Sequence, residues 1–244
     1  LLFGLFLASG LLVCWTFLEG LSRYDAEAWL LGFWFFGILA ACLLLFYAGS
    51  VRYVLLALPP VILLWLRRIE SGGFSPVWEG RLVWGTVAAT VICGLSLAYA
   101  DFQWAEVYRK AARQIQAEYG DARGDIWFTG EWGFRHYLEL EGARLIQRVQ
   151  TDAVSGDYIV KPFVASPWVT LYDGDPYSRL VEQKVVRLPF PIRLADFSSH
   201  AGFYSTAWGL LPWSLETGEE WEWFNIFRVE REYDGPIPEE ERHW

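Results

Sequence analysis

Four uncharged, strongly apolar runs fill most of the first 100 residues: Leu1–Leu18, Ala28–Ser50, Tyr53–Leu66 and Leu82–Ala100. A helix rises about 1.5 Å per residue, so the second and fourth runs are long enough to cross a hydrocarbon core of roughly 30 Å. Inside such a core every backbone N–H and C=O must be bonded within the chain, which leaves helices as the form these runs can take. The first run has neither the basic start nor the small-residue cleavage site of a secretory signal, and reads as a span.

The third run is the awkward one. It has Pro59-Pro60 inside it and, at about 21 Å of helix, is short for a crossing. Arg52, Arg67 and Arg68 at its ends can snorkel outward, and Tyr53 and Trp65 suit the two interfaces. We read it as a kinked fourth span, with a re-entrant segment as the alternative. Four spans put the loops at 19–27 and 67–81 on one side, where they carry Arg23, Arg67, Arg68 and Arg81; only Arg52 occupies the short loop at 51–52 on the other. The basic side is the cytoplasmic one. Residues 101–244 are then expected outside an integral plasma (inner) membrane, although Arg109, Lys110 and Arg113 pull the count the other way.

Charge divides the chain at the same place. Residues 1–100 balance five basic against five acidic groups, so the whole net charge of −9 lies in the second part. An acidic aqueous half repels phosphates and excludes a nucleic-acid partner. With 18% aromatic residues the chain is not disordered. Cys14, Cys42 and Cys93 all lie in apolar runs, which argues for packing residues and against a disulfide framework. No Met occurs, position 1 included, so the chain is expected to begin inside a longer protein.

The second half reads as a small α/β domain. Trp104, Val107, Tyr108, Ala111, Ala112 and Ile115 recur at helical spacing over Asp101–Tyr119, with Gly120 as a stop. A strand over Asp125–Thr129, a short helix over Trp132–Leu140 and a short run over Ala143–Val149 follow. Further strands are expected at Gly156–Pro162, Pro167–Leu171, Gln183–Leu188 and Glu220–Glu232. Ser198–Ser214 reads as an ordered loop rich in Gly and aromatics. The expected organisation is therefore a polytopic α-helical membrane region of about four spans at 1–100, a small α/β extracytoplasmic domain at 101–235, and a tail at 236–244.

Chemistry-bearing groups are sparse. Asp173-Gly174-Asp175-Pro176 has the Asp-x-Asp form that can hold a divalent metal in nucleotide-sugar transferases, but Asp-Gly and Asp-Pro also form tight turns. His136, His200 and His243 lack ligand spacing, so no metal site is expected in this chain. Glu131, Arg135 and His136 form either an acid/base or anion-binding cluster or a solvated helix face. His200, before Ala201-Gly202-Phe203-Tyr204, belongs to a ligand loop or a structural one. Arg52-Tyr53, at the mouth of a Pro-kinked span, either receives a lipid phosphate or anchors a helix end; a guanidinium matches phosphate oxygens bidentately. No phosphate-binding Gly loop, nucleophile elbow or Ser–His–Asp set is present.

Several stretches carry a resemblance. Asp25-Ala-Glu-Ala-Trp-Leu-Leu-Gly-Phe-Trp, a long apolar run and Val51-Arg52-Tyr53-Val54-Leu55-Leu56-Ala57-Leu58-Pro59-Pro60 resemble the late membrane helices of GT-C type glycosyltransferases. The nearest group is the bacterial relatives of the dolichyl-phosphate-mannose protein mannosyltransferases, glycosyltransferase family 39. Ala57 stands where an earlier Pro is common in that group. Trp127–Tyr137, Gly156–Pro162 and Ala201–Pro212 are similar to the C-terminal region of the same proteins. The resemblance covers about residues 25–230.

It implies an enzyme that moves a sugar from a polyprenyl-phosphate donor to a glycan or protein acceptor on the outer membrane face, with the C-terminal domain outside. It makes Arg52 a contact for the donor phosphate. The family's catalytic acidic residue lies in a first external loop, expected upstream of Leu1, and acts as general base or as ligand to a divalent metal. No cofactor is expected in the present residues, and the fragment alone is expected to be inactive. The competing reading is a non-enzymatic membrane-anchored module that binds glycan or protein; nine of the 15 tryptophans follow residue 100 and suit sugar stacking as well as core packing. A channel or transporter piece is disfavoured, because no charge lies inside an apolar run.

Overall fold

The computed structural model describes residues 2–22, 26–45, 50–71, 76–120, 124–146, 153–165, 177–188, 190–205, 207–217 and 220–231. The chain divides into two compact units. The first is Leu1–Ala100 together with Pro191–Glu216; the second is Asp101–Phe190 together with Thr217–Trp244. The segment 191–216, which the sequence assigns to the aqueous half, thus groups with the apolar helices.

Among the described residues three helices are long and apolar enough to cross a membrane: α1 (Leu2–Ser22), α2 (Ala26–Leu45) and α5 (Pro76–Tyr119). The expected fourth span is not among them. Its residues form α3 (Val51–Val54), a 3₁₀ turn (Leu55–Ala57) and α4 (Leu58–Ser71). The cause is local. Pro59 and Pro60 lack the N–H groups that would bond the carbonyls of Leu55 and Leu56 in an α-helix. The turn tightens instead, and Leu58 N–H reaches back three residues to the Leu55 carbonyl.

In the first unit α1 and α2 form a hairpin, and 51–71 runs back along α2. Phe17, Leu31, Phe35, Ala57 and Leu64 make its buried core, with the Phe17 and Phe35 rings stacked at 4.3 Å. Arg68 bonds Glu19 at 2.8 Å and Arg67 pairs with Glu27 at 3.3 Å, so the end of α4 sits at the α1–α2 turn. The helix α5 is continuous through the two segments expected separately, Leu82–Ala100 and Asp101–Tyr119, because nothing near Asp101 interrupts its hydrogen bonding. Thr86, Thr90 and Ser96 turn their hydroxyls onto the carbonyls of Leu82, Thr86 and Ile92 at 2.8–2.9 Å. The 191–216 segment adds two small antiparallel pairs: β5 (Ile192–Arg193) with β8 (Ser214–Leu215), and β6 (Ala195–Asp196) with β7 (Ala201–Gly202).

The second unit is built on a five-stranded mixed sheet of order β2-β1-β3-β9-β4. Its strands are β1 (Ile126–Phe128), β2 (Arg144–Leu145), β3 (Tyr158–Pro162), β4 (Ser178–Val186) and β9 (Glu222–Val229). β1 is parallel to β2 and β3, the β1–β2 step crossing through helix α6 (Trp132–Leu140); β9 is antiparallel to β3 and β4. Alternation along the strands sorts the core into two faces. Trp127, Ile159, Phe227 and Val229 pack on one, with Ala153. On the other, Phe134 of α6 stacks on Phe224 at 5.4 Å and meets Phe128 and Tyr108 edge-on. The α5 stripe Trp104, Val107, Tyr108, Ala111, Ala112 and Ile115 is buried throughout, as its spacing predicts. The expected strand at 167–171, the turn at 173–176 and the tail at 236–244 lie outside the described residues.

Candidate functional site

Two of the stretches singled out in the sequence come together in the first unit. Ser50, just before α3, donates its hydroxyl to the Phe203 carbonyl at 3.3 Å. Its own carbonyl accepts the Tyr53 N–H at 3.0 Å. Arg52 and Tyr53 therefore occupy the short helix that opens beside the 201–204 loop. Phe6 of α1 meets Trp213 edge-on at 5.4 Å, a second contact between the helices and this loop segment.

The loop holds its shape through close backbone packing. Gly202 N–H bonds the Leu211 carbonyl at 2.7 Å, and Leu211 N–H bonds the His200 carbonyl at 3.1 Å. A Cβ on Gly202 would collide with the carbonyls of Gly209 and Ser205, and one on Gly209 with the His200 backbone. Both positions require glycine on steric grounds alone. His200 itself is held at a φ of 58°. Phe203 N–H bonds the Leu194 carbonyl at 2.8 Å, which ties the loop to the Arg193–Asp196 segment.

Asp196 organises the other side of the loop. It accepts the Ser198 N–H at 2.9 Å, the Ser198 hydroxyl at 2.8 Å and the Ser199 hydroxyl at 2.7 Å. Ser199 and Ser214 share a hydrogen bond at 2.5 Å. The Arg193 side chain is 2% exposed, and that burial pushes its guanidinium below its ordinary value while Asp196 and Glu216 pull it back. The loop is thus a compact polar structure, with a buried cation and a buried carboxylate, seated at the mouth of α3.

The cluster at 131–136 is of a different kind. Arg135 bonds Glu139 at 2.9 Å and Glu131 at 3.4 Å, both one helical turn away along α6. Glu139 first, and Glu131 after it, raise the Arg135 guanidinium above its ordinary value. His136 is exposed, its ring edge-on to Tyr137 at 5.2 Å. This is a ladder of surface ion pairs, with Glu131 and Arg135 brought together and His136 set beside them. Among the described residues no three His, Cys, Asp or Glu side chains are grouped to hold a metal ion. Asp173, Asp175 and His243 lie outside the described residues.

Two further carboxylates stand out in the second unit. Asp157 accepts the Asp125 N–H at 2.9 Å, the Val154 N–H at 3.0 Å and the Trp127 indole N–H at 2.8 Å, joining the starts of β1 and β3. Glu222 was not singled out by sequence reasoning, and it is fully buried. One oxygen accepts the N–H groups of Phe163, Val164 and Trp223 at 2.8–3.1 Å; the other accepts the Tyr108 hydroxyl at 2.7 Å. Burial pushes its carboxyl up to about 7 against these four donors. Burial, and then the Glu222 charge, hold the Tyr108 hydroxyl well above its ordinary value. The available signal was parity, since Glu222 shares a sheet face with Phe224 and Ile226.

Comparison with protein-family models, with curated proteins and with solved structures finds no match to this chain.

Proposed function

We propose that this chain is part of a membrane-integrated glycosyltransferase of the GT-C type, similar to the bacterial relatives of the protein mannosyltransferases. It serves transfer of a sugar from a polyprenyl-phosphate donor to an acceptor on the outer face of the plasma membrane. The observation that carries this reading is the junction at Ser50. Residues 51–60 and 201–212, two stretches on which the resemblance rests, are far apart in the chain and adjoin there through the Ser50–Phe203 hydrogen bond.

In this reading α1, α2 and α5 cross the bilayer, and 51–71 crosses as the fourth span. Support for the fourth crossing comes from the Arg67–Glu27 and Arg68–Glu19 pairs, which tie its far end to the α1–α2 turn. Support for a lipid setting comes from Thr86, Thr90 and Ser96, whose hydroxyls are satisfied within their own helix and need no water. The loops at 19–27 and 67–81, with four arginines, then share the cytoplasmic side.

In such a transfer the acceptor oxygen bonds to the anomeric carbon as the bond to the donor phosphate breaks. The acceptor proton passes to a base, and the polyprenyl phosphate departs with the bonding electrons. Arg52 is assigned to the departing phosphate, where a planar guanidinium offers paired donors to two oxygens. Tyr53 flanks the same headgroup. The test uses Arg52→Ala and Arg52→Lys in the intact enzyme in membranes, with a polyprenyl-phosphate hexose as donor. Losing one positioned donor to a developing anion costs about 100-fold in turnover, with Lys falling between. Unchanged transfer in Arg52→Ala removes Arg52 from the mechanism.

A further inference from the structure

We propose that Arg228 and Arg179, with the Tyr158 hydroxyl, form a site on the second unit for the phosphate group of a phosphate monoester. The three lie in one row across three strands. Tyr158 of β3 is the register partner of Arg228 in β9, and Arg228 is the partner of Arg179 in β4. Residues directly opposite in antiparallel strands share a face, with Cβ atoms about 4.5–5.5 Å apart. It is the face on which α5 ends, because the Tyr119 and Tyr158 rings meet at 4.8 Å. Both arginines are exposed and Tyr158 is half-buried. The site does not depend on a bilayer, since all three residues belong to one compact unit.

Like charges set directly opposite across a strand pair repel, and the repulsion costs stability. Elsewhere in this unit arginines meet carboxylates: Arg109, Arg113, Arg135, Arg144 and Arg187 each do so at 2.5–3.6 Å. Arg179 and Arg228 have no ion pair or hydrogen bond among the described residues, and the Tyr158 hydroxyl has none either. The acid that follows on this face of β4 is engaged. The register shifts between Leu180 and Glu182, which sets Glu182 opposite Ile226 and so on the face of Arg228. One Glu182 oxygen accepts the Tyr119 hydroxyl at 2.5 Å and the other the Lys184 ammonium at 3.0 Å. Glu230, two residues past Arg228, pairs with neither arginine.

The chemistry of the row selects the ligand. Two guanidiniums bring two positive charges in planar forks, and the phenol adds a third donor group. A phosphate monoester near neutral pH carries a charge of about −1.5 to −2 on three terminal oxygens, which matches both. A carboxylate brings one charge and two oxygens, and leaves one cation uncompensated. The acidic balance of this half of the chain keeps off a long polyanion, whose many phosphates meet the whole surface. A single phosphate seated between two forks is held at hydrogen-bond range, well inside a Debye length of about 8 Å. The same group occurs on a soluble molecule, as in glycerol phosphate, and on a lipid, as in phosphatidic acid.

Phosphorus NMR on the full chain in dodecyl maltoside, at constant ionic strength, tests this. One arm adds glycerol phosphate; the other adds phosphatidic acid to the same micelles. The parent chain is expected to broaden the phosphate resonance, and Arg179→Gln and Arg228→Gln to weaken binding by about tenfold or more, as loss of a charge-assisted bond does. Variant-sensitive broadening of glycerol phosphate supports the site and gives it a soluble ligand; the same effect with phosphatidic acid alone supports it and gives it a lipid headgroup. No broadening in either arm, or equal broadening by the parent and both variants, overturns the site. Thermal midpoints give a second reading. Without phosphate each Gln variant should melt above the parent, because the repulsion is gone, and glycerol phosphate or phosphatidic acid should raise the midpoint of the parent alone. A lower midpoint in both variants, with no effect of either probe on the parent, makes the arginines structural and overturns the proposal.

Discussion

At the scale of single residues, the group with the largest energetic leverage is Glu222. Its carboxylate gathers three N–H groups and the Tyr108 hydroxyl in a dry site, joining the 163–164 turn and β9 to α5. Replacement by Leu leaves buried donors unmatched at ~1–3 kcal/mol each. We therefore predict that Glu222→Leu lowers the thermal midpoint of the chain sharply in detergent, read by far-UV circular dichroism. The pH dependence has an unusual sign. A carboxyl of ordinary value 4.5 that is pushed to about 7 on folding binds its proton more tightly in the native state. Its contribution to stability therefore falls as pH rises from about 4.5 to 7, by about 1.4 kcal/mol per unit, or roughly 3 kcal/mol in all. Melts between pH 5 and 8 should show this slope in the parent chain and lose it in Glu222→Gln; equal slopes in both would rule out Glu222 as its source. Glycine placement is decided at this scale too. Gly202 and Gly209 stood in the sequence only as part of a Gly-rich stretch, and their necessity comes from backbone atoms brought close by the fold.

At the scale of elements, periodicity was a good guide where one face is buried over several turns. The stripe from Trp104 to Ile115 and the helix over Trp132–Leu140 are found where their spacing put them. Short elements were less legible. β7 and Ser214 of β8 fall within Ser198–Ser214, a stretch that reads as loop, since two-residue strands are too short to carry an alternation. The element with the most at stake is 51–71, whose ends lie about 24 Å apart between Arg52 and Arg68. Its direction along α2 rests on exposed ion pairs that are worth little in energy but fix neighbours in space. We predict that cysteines replacing Glu19 and Arg68, in a background lacking Cys14, Cys42 and Cys93, are joined efficiently by a short bismaleimide. The pair at 19 and 52 should not be joined. Equal yields for both pairs would contradict the antiparallel course.

At the scale of the whole molecule, the proposed sidedness makes one strong demand. The second unit must be reachable from outside the cell. Protease added to intact cells or right-side-out vesicles should cleave within 101–190, while the turn at the α1–α2 end stays protected until the membrane is opened. Protection of 101–190 in intact cells would reverse the orientation and detach the chain from an outer-face transfer. The division of the chain also belongs to this scale. Residues 191–216 group with the apolar helices although 101–190 and 217–244 on either side form the other unit. Their composition does not announce this, because a stretch that mixes Gly, aromatic and polar residues carries no period that names its packing partner.

The sequence by itself determined that the chain has apolar runs long enough for bilayer-crossing helices, and an acidic half after residue 100 with helix and strand periods. These follow from composition and period, which act through neighbours along the chain. Only the tertiary structure decided that Ser50 meets Phe203, that Asp157 and Glu222 are buried anchors, and that the Arg135 cluster is a surface ladder. Each of those depends on groups as much as 153 residues apart in sequence or on which side of a helix meets solvent. A carboxylate reads the same in sequence whether water or four buried donors surround it, and the packing around it makes the difference.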